Sequence, residues 1–319
     1  MGNSFGESLR QAFVVMKNEI KKYFSGKRML VFLVLLAIIV FVIVVAPYMF
    51  NSETDPVYFL MMSSLVVLMA STLFASISIV SEYEERTALI VFTRPIRKTS
   101  IFVGKALACI VLTIAFTALY YLIAIIVSAI VNGSVSGDMF VSFGLACAYA
   151  FGTIGIAMFV SSIMKKGSTS TIITFVILAV IITALSMVLN AANVNSSWMI
   201  DQAANSIMEC SEEYRNMMNE IYSSLAQMLN NPNTYIDFDT YAAAFAIVHP
   251  DGGVTKEMLI QAILTEVDGK IAFDFSAASA QILSLEVKIP DYLRDTLVMI
   301  AWGLISMVAA FFAFIRREF

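Results

Sequence analysis

The residues of this sequence that could do chemistry are concentrated in one short polar stretch, 81–105, between two long apolar runs. The stretch reads SEYEERTALIVFTRPIRKTSIFVGK and holds eight charged side chains: Glu82, Glu84, Glu85, Arg86, Arg94, Arg97, Lys98 and Lys105. Carboxylates and guanidinium groups placed this densely form ion pairs and charge-assisted hydrogen bonds with other protein surfaces. The stretch is too polar to cross a bilayer and too short to be a domain, so we expect it to be presented to a partner.

Residues for catalysis or metal binding are scarce elsewhere. The single histidine, His249, lies in a polar region, and the three cysteines form no Cys-x-x-Cys pair. The Gly-Lys pairs at 26–27 and 104–105 lack the upstream glycine spacing and the following Ser or Thr of a phosphate-binding loop. The sequence therefore predicts no catalytic residue, no metal site and no nucleotide site in this chain, and nothing in it indicates binding to nucleic acid.

The composition is that of an integral membrane protein. Of the 319 residues, 59% are hydrophobic and 14% are charged, against about 45–50% and about 25% in soluble domains. A helix needs about 20 apolar residues to cross a bilayer, and six runs reach or approach that length. They lie at 29–50, 57–80, 101–131, 139–164, 168–189 and 297–315. Lys105 is the only charged residue within them, and we expect its side chain to reach the interface.

An amphipathic helix is predicted before the first run. Apolar residues at 9, 13, 16, 20 and 24 are three or four positions apart, and basic residues fall on another face. We expect this helix to lie in the membrane surface with its basic groups toward anionic lipid headgroups. The residues expected at that interface are Phe13, Met16, Lys17, Ile20 and Lys21. The alternative is an ordinary amphipathic helix that packs on a soluble partner.

The distribution of Lys and Arg predicts the orientation of the spans. Fifteen basic residues lie before the first span, around the connection between the second and third, after the fourth, or after the sixth. The short connections at 51–56 and 132–138 contain none. Because basic residues collect on the cytoplasmic side, we expect both termini in the cytoplasm of a multi-pass plasma-membrane protein.

The segment 190–296 then has to be extracellular. It holds 15 acidic and five basic residues, and helical patterns at 198–229, 256–266 and 276–285 predict a helical domain of about 100 residues. Sequons at Asn132 and Asn195 would lie on the same side, with their glycosylation left open. A domain of this size supports an alternative function, in which it acts as a sensor or assembly platform and the spans anchor it.

Small and hydroxyl residues within the spans indicate either close helix packing or a translocation path. One row of small residues runs along the fourth span: Gly144, Ala146, Ala148, Ala150, Gly152, Gly155 and Ala157. Candidates for lining a path are Ser63, Ser71, Thr72, Tyr120 and Tyr121. Packing within one protomer explains both sets as well. No carboxylate, histidine or lysine lies at mid-depth, which disfavours an ion-coupled transporter without excluding one.

These features together resemble the membrane (permease) subunit of type-2 ATP-binding cassette (ABC) exporters. The resemblance rests on the basic amphipathic segment MKNEIKKYFSGKR before six spans and on the stretch 81–105 between the second and third. The matching residues of that stretch are Glu82, Glu84, Glu85, Thr87, Arg94, Pro95, Arg97, Gly104 and Lys105, whereas Arg86 stands where glycine is common. The resemblance covers roughly residues 10–190 and the last span.

The expected fold is therefore an all-α polytopic membrane protein, organised as the family resemblance implies. An elbow helix lies within 1–28, five transmembrane helices lie within 29–189 with a coupling helix at 81–100, a helical extracellular domain occupies 190–296, and the sixth helix and cytoplasmic C-terminus occupy 297–319.

The resemblance also implies partners. A separate cytoplasmic ABC ATPase subunit would bind ATP and Mg²⁺, so this chain would be no enzyme and would hold no cofactor. Two permease copies, or one copy and a related permease, would export a small or hydrophobic compound such as a drug, lipid, peptide or ion. The residues that would contact the ATPase are Glu82, Glu84, Glu85, Arg86, Thr87, Leu89, Arg94, Pro95 and Arg97.

Overall fold

The computed structural model describes residues 4–49, 55–84, 97–131, 133, 135–192, 194–229, 235–236, 264–267, 270–273 and 287–316. The chain forms two compact units. The membrane unit comprises Met1–Ser211 and Ile289–Phe319, and the second unit comprises Glu212–Lys288.

Six helical segments of the described residues are long and apolar enough to cross a membrane. The helix α1 (Ser4–Ser25) precedes them. The spans are α2 (Lys27–Met49); α3 (Val57–Ala75) with α4 (Val80–Glu84); α5 (Lys98–Val131); α6 (Asp138–Ile163); α7 (Gly167–Val176) joined by a π-helical turn (Ile177–Ile181) to α8 (Ile182–Ala191); and α12 (Tyr292–Arg316). The predicted six-span helical architecture is confirmed, although the sixth helix begins at Tyr292 rather than at 297.

The helices α3 and α6 lie at the centre of the membrane unit. Most of their residues are buried, whereas α2 and the α7–α8 pair leave large apolar side chains exposed. An aromatic cluster packs α1, α2, α3 and α5 together, with ring centroids 4.8–5.7 Å apart among Tyr23, Phe32, Phe74 and Phe116. Burial of such large rings provides much of the packing energy of a core.

Two short helices, α9 (Ile200–Ala204) and α10 (Ser206–Glu209), belong to the membrane unit. Ile200, Ala203 and Ile207 are buried, with α9 against α12 and α10 against α3 and α6. The prediction of one helix over 198–229 is therefore wrong: the chain turns at Asn205 and Cys210 before α11 (Glu212–Leu229) begins the second unit. The apolar residues Ile200, Ala203, Ala204 and Ile207 are buried in the membrane unit, and the second compact unit starts at Glu212.

The described part of the second unit contains α11 and a three-stranded antiparallel sheet in the order β1-β3-β2. The strands are β1 (Tyr235–Ile236), β2 (Leu264–Val267) and β3 (Lys270–Phe273). The predicted helix over 256–266 is thus wrong at 264–266. Val267 pairs with Lys270, so only Asp268-Gly269 separates the strands in sequence, and this dipeptide is a strong hairpin signal. The predicted helix at 276–285 lies outside the described residues.

Candidate functional site

The residues predicted to contact a partner lie within and beside the segment 85–96, which is outside the described residues. Six of them belong to that segment: Glu85, Arg86, Thr87, Leu89, Arg94 and Pro95. Glu82 and Glu84 lie in α4, directly before the segment, and Arg97 stands directly after it, before α5. The described structure therefore shows how both ends of the segment are held.

A buried ion cluster joins three helices at this end of the bundle. Nζ of Lys105, on α5, lies 2.7 Å from Oε1 of Glu19 on α1 and 2.9 Å from Oε1 of Glu82 on α4. Lys105 also donates a hydrogen bond to the carbonyl oxygen of Ser78, at 2.7 Å. Its side chain is 0% exposed and that of Glu82 is 8% exposed. We call Glu19, Ser78, Glu82 and Lys105 the Lys105 cluster.

The Lys105 cluster corrects the expectation that Lys105 reaches the membrane interface. Its ammonium group is instead enclosed, and a buried charge is tolerated only when it is paired and hydrogen-bonded. Glu82, predicted to contact a partner, directs one carboxylate oxygen to Lys105 within the protein. In this conformation Glu82 fixes α4 to α5 and α1, so a direct contact with a partner would require the cluster to open.

A second anchor holds the end of α4. Oε2 of Glu84 accepts a hydrogen bond from the backbone N–H of Gly167 at 2.8 Å, at the start of α7. A carboxylate is favoured at this position because the first amides of a helix have no partner within the helix. A Cβ atom at Gly167 would lie only 2.9 Å from Oε2 of Glu84 and 2.8 Å from Cγ2 of Ile77. A side chain at position 167 would therefore need the Glu84 carboxylate and the Ile77 side chain to move.

The helix α1 presents three faces. Ala12 and Tyr23 are buried against the bundle, Phe13 is 64% exposed, and Lys17 and Lys21 are exposed beside it. The other two residues predicted for the interface, Met16 and Ile20, are half-buried between these faces. This arrangement fits a helix that packs on its own protein along one side, while placement in the membrane surface stays a prediction.

Tyr23 connects α1 to the second span. Its hydroxyl donates a hydrogen bond to the carbonyl oxygen of Phe74 at 2.7 Å, and the two rings meet edge to face with centroids 5.5 Å apart. Burial raises the pKa of the Tyr23 hydroxyl well above its usual value, and the nearby Cys109 and Glu19 raise it further. The hydroxyl therefore stays protonated and able to donate.

The helices α1 and α5 approach each other closely at Gly104. A Cβ atom there would lie 2.6 Å from the carbonyl oxygen of Ala12 and 2.7 Å from Cβ of Val15. Because a backbone atom cannot rotate away, we expect Gly104→Val to separate the helices at a cost of about 1–3 kcal/mol. Proteolysis at Lys17 and Lys21 should then become at least about tenfold faster, measured by mass spectrometry of timed digests.

Gly137 provides the matched control for this prediction. It stands before α6, and a Cβ atom there would have no neighbour within 4 Å. Gly137→Val should leave the digestion rate of α1 unchanged. An unchanged rate in Gly104→Val would mean that this contact does not hold α1 in place.

The residues predicted to line a translocation path are all buried within the membrane unit. Ser63, Ser71 and Thr72 donate hydrogen bonds to carbonyl oxygens one turn earlier in α3. Tyr120 donates to the carbonyl oxygen of Phe59 at 2.7 Å, and the Tyr121 hydroxyl lies 2.6 Å from Oγ of Ser142. In this conformation the two tyrosine hydroxyls join α5 to α3 and α6, the other three hydroxyls pair within α3, and the part of all five in a path stays a prediction.

Comparison with known families identifies the class of protein. The model of the family described as ABC-2 family transporter protein matches residues 49–319, which include spans two to six and most of the Lys105 cluster. The chain therefore belongs to the ABC-2 transporter family and is a multi-pass membrane protein, the permease subunit of a type-2 ABC transporter. Such a subunit works with an ABC ATPase subunit. A comparison with curated proteins found no match.

Proposed function

We propose that this permease exports a small or hydrophobic compound, and that a separate ATPase subunit drives it through the stretch 81–105. ATP and Mg²⁺ bind to that ATPase in this scheme, and this chain hydrolyses nothing itself. Two permease subunits enclose the path, with both termini on the cytoplasmic side of the plasma membrane. The charge distribution of the sequence supports this orientation.

One observation carries the proposal: the two ends of the segment 85–96 are together attached to α1, α5 and α7. On the incoming side, Glu82 pairs with Lys105 on α5, and Glu84 accepts the amide of Gly167 on α7. On the outgoing side, Nη1 of Arg97 donates to Oγ of Ser8 on α1 at 3.2 Å. A force applied to the segment would therefore reach α1, α5 and α7 together, as a coupling element requires.

The sequence of the segment suggests how the ATPase subunit would bind it. The apolar run 89–92, LIVF, stands between acidic residues and Arg94. A compact apolar tip can fill a pocket in a partner, and the surrounding charges can set its orientation. Leu89 is therefore the residue whose change should weaken ATPase binding most directly.

Purification from native membranes tests the proposal. Mass spectrometry of the purified wild type should identify a co-purifying ABC ATPase, together with any bound lipid or small molecule. Leu89→Asp should lower the ATPase recovered per permease at least about tenfold, because a charge placed in an apolar pocket costs more than about 1.4 kcal/mol. Membrane insertion, judged by the amount of extracted permease, should not change.

Val135→Asp is the matched control. It places the same charge at an exposed apolar residue in the connection between α5 and α6. This connection follows the C-terminal end of α5, whereas the segment 85–96 precedes its N-terminal end. ATPase recovery should stay at the wild-type level. Equal recovery with Leu89→Asp and wild type would refute docking through this segment, and wild type without any ATPase would refute the proposed function.

A further inference from the structure

The second span is interrupted immediately before the stretch that leads to the ATPase contact. The helix α3 ends at Ala75 and α4 begins at Val80, and the four residues between them form turns. No glycine or proline occurs between 70 and 84. Helix breaks are normally caused by such residues or by side chains that insert into the hydrogen-bond ladder, so the cause here should be found in neighbouring side chains.

The hydroxyl of Ser161, on α6, accepts two hydrogen bonds that backbone carbonyls of a continuous helix would accept. In a continuous helix the N–H groups of Ile79 and Val80 would pair with the carbonyls of residues 75 and 76. Both N–H groups instead donate to Oγ of Ser161, each at 3.1 Å. Ser161 is completely buried. Its hydroxyl therefore stabilises the break by accepting two amides that the break leaves without helical partners.

The carbonyl oxygens that the break leaves without helical donors also accept hydrogen bonds from side chains of other helices. The carbonyl oxygen of Phe74 accepts from the Tyr23 hydroxyl of α1, and that of Ser78 accepts from Lys105 of α5. The carbonyl oxygen of Ser76 accepts from the Ser170 hydroxyl of α7. Buried backbone groups must be paired. At this break, turn hydrogen bonds within the span pair some of them, and side chains of α1, α5, α6 and α7 pair others.

We propose that the break 76–79 is a hinge at which α4 turns relative to α3 when the ATPase changes state, and that Ser161 is the positioning residue that holds it in the arrangement seen here. This inference rests on the proposed function. A continuous helix would carry any movement of α4 into the whole second span. At the break, side chains can release and rebind the backbone groups by changing rotamer, so α4 can move while α3 stays packed in the core.

Hydrogen exchange of the assembled permease–ATPase complex provides the first test. Ser161→Ala should speed amide exchange in peptides that cover 77–84 at least about tenfold. Ser162→Ala is the control, because the neighbouring Ser162 is also buried but donates to the carbonyl of Phe159 in its own helix. In the wild type, a non-hydrolysable ATP analogue should change exchange at 77–84 and leave residues 60–70 of α3 unaffected.

A reversible lock tests whether the hinge is needed for coupling. A Cβ atom at Gly167 would lie 2.8 Å from Cγ2 of Ile77, which brings the two Cβ positions into the range of about 3.5–4.5 Å that disulfides use. The pair Ile77→Cys and Gly167→Cys would tie the break to α7 when oxidised. ATP turnover of the complex should then fall at least about tenfold, with the ATPase still bound, and a reductant should restore it.

The reduced form of the same double variant is the control for the substitutions themselves. Wild-type turnover in the oxidised form, or exchange at 77–84 that is identical in Ser161→Ala and Ser162→Ala, would overturn the hinge. If no ATPase co-purified with the wild-type permease, both the proposed function and the coupling role of the hinge would be refuted. Loss of turnover in the oxidised form alone therefore distinguishes a working hinge from both failures.

Discussion

Lys105→Met is expected to destabilise the protein by about 3–5 kcal/mol, the cost typical of removing one partner from a buried ion cluster. The substitution would leave the carboxylates of Glu19 and Glu82 inside the protein without their cation, and the carbonyl of Ser78 without its donor. Methionine has a similar length and flexibility, so little packing is lost. The apparent Tm, measured by size-exclusion chromatography after heating, should fall by roughly 10 °C.

Two further variants separate charge from packing. Lys165→Met removes the same charge at an exposed position between α6 and α7 and should shift the Tm by no more than about 2 °C. The triple variant Glu19→Gln, Glu82→Gln, Lys105→Met has no charge left in the cluster and should recover most of the loss, because replacing all members of a buried ion set is often nearly neutral. A triple variant as unstable as Lys105→Met would attribute the effect to packing.

The six spans could be predicted from the sequence because the bilayer imposes a requirement that each segment meets by itself. A run of about 20 apolar residues satisfies it wherever the run lies in the fold. The second span shows the limit of that argument. The apolar run 57–80 predicts one uninterrupted helix, whereas the break after Ala75 is fixed by Ser161, about 80 positions away in the sequence.

The burial of Lys105 could not be predicted for the same reason. Position within the run indicates only that Lys105 is near the end of its span, where lysines commonly reach the interface. Its enclosure depends on Glu19, 86 positions earlier, and on Gly104, which lets α1 come close enough to cover it. Sequence spacing within one helix carries no information about such contacts between helices.

The errors in the second unit have a different cause. Asp268-Gly269 has two interpretations, as the end of a helix and as a two-residue hairpin, and the helical interpretation wins only if 256–266 is helical. The β-branched residues Thr265 and Val267 beside this dipeptide favour a strand, which the register with 270–273 confirms. A local signal was therefore present at this hairpin, whereas none was present at the Lys105 cluster.

The second large effect is expected where α6 crosses α12. A Cβ atom at Gly155 would lie 2.6 Å from the carbonyl oxygen of Gly303 and 3.0 Å from its Cα, and a Cβ atom at Gly303 would overlap Phe151. The facing atoms are backbone and cannot rotate away, so Gly155→Val must push the helices apart. Overpacking typically costs about 1–3 kcal/mol. Because only backbone atoms of Gly303 face this position, we expect a cost of about 3 kcal/mol, and the apparent Tm should fall by roughly 10 °C.

The same crossing supports α9, so the effect should extend beyond α6 and α12. One turn earlier, a Cβ atom at Gly152 would lie 2.9 Å from the carbonyl oxygen of Met299 and 2.6 Å from Cδ1 of Ile200. Separation of α6 from α12 should therefore loosen Ile200 as well. Hydrogen exchange should increase in peptides that cover 200–209 in Gly155→Val, in addition to those of α12.

Gly144 offers a matched control on the same helix. It belongs to the same row of small residues, but it is exposed, and a Cβ atom there would have no neighbour within 4 Å. Gly144→Val makes the same change of residue type and should shift the Tm by no more than about 2 °C. Equal losses at both positions would assign the effect to valine in this helix rather than to the crossing. A loss at Gly155 alone would show that the small-residue row contributes to stability only where α12 covers it.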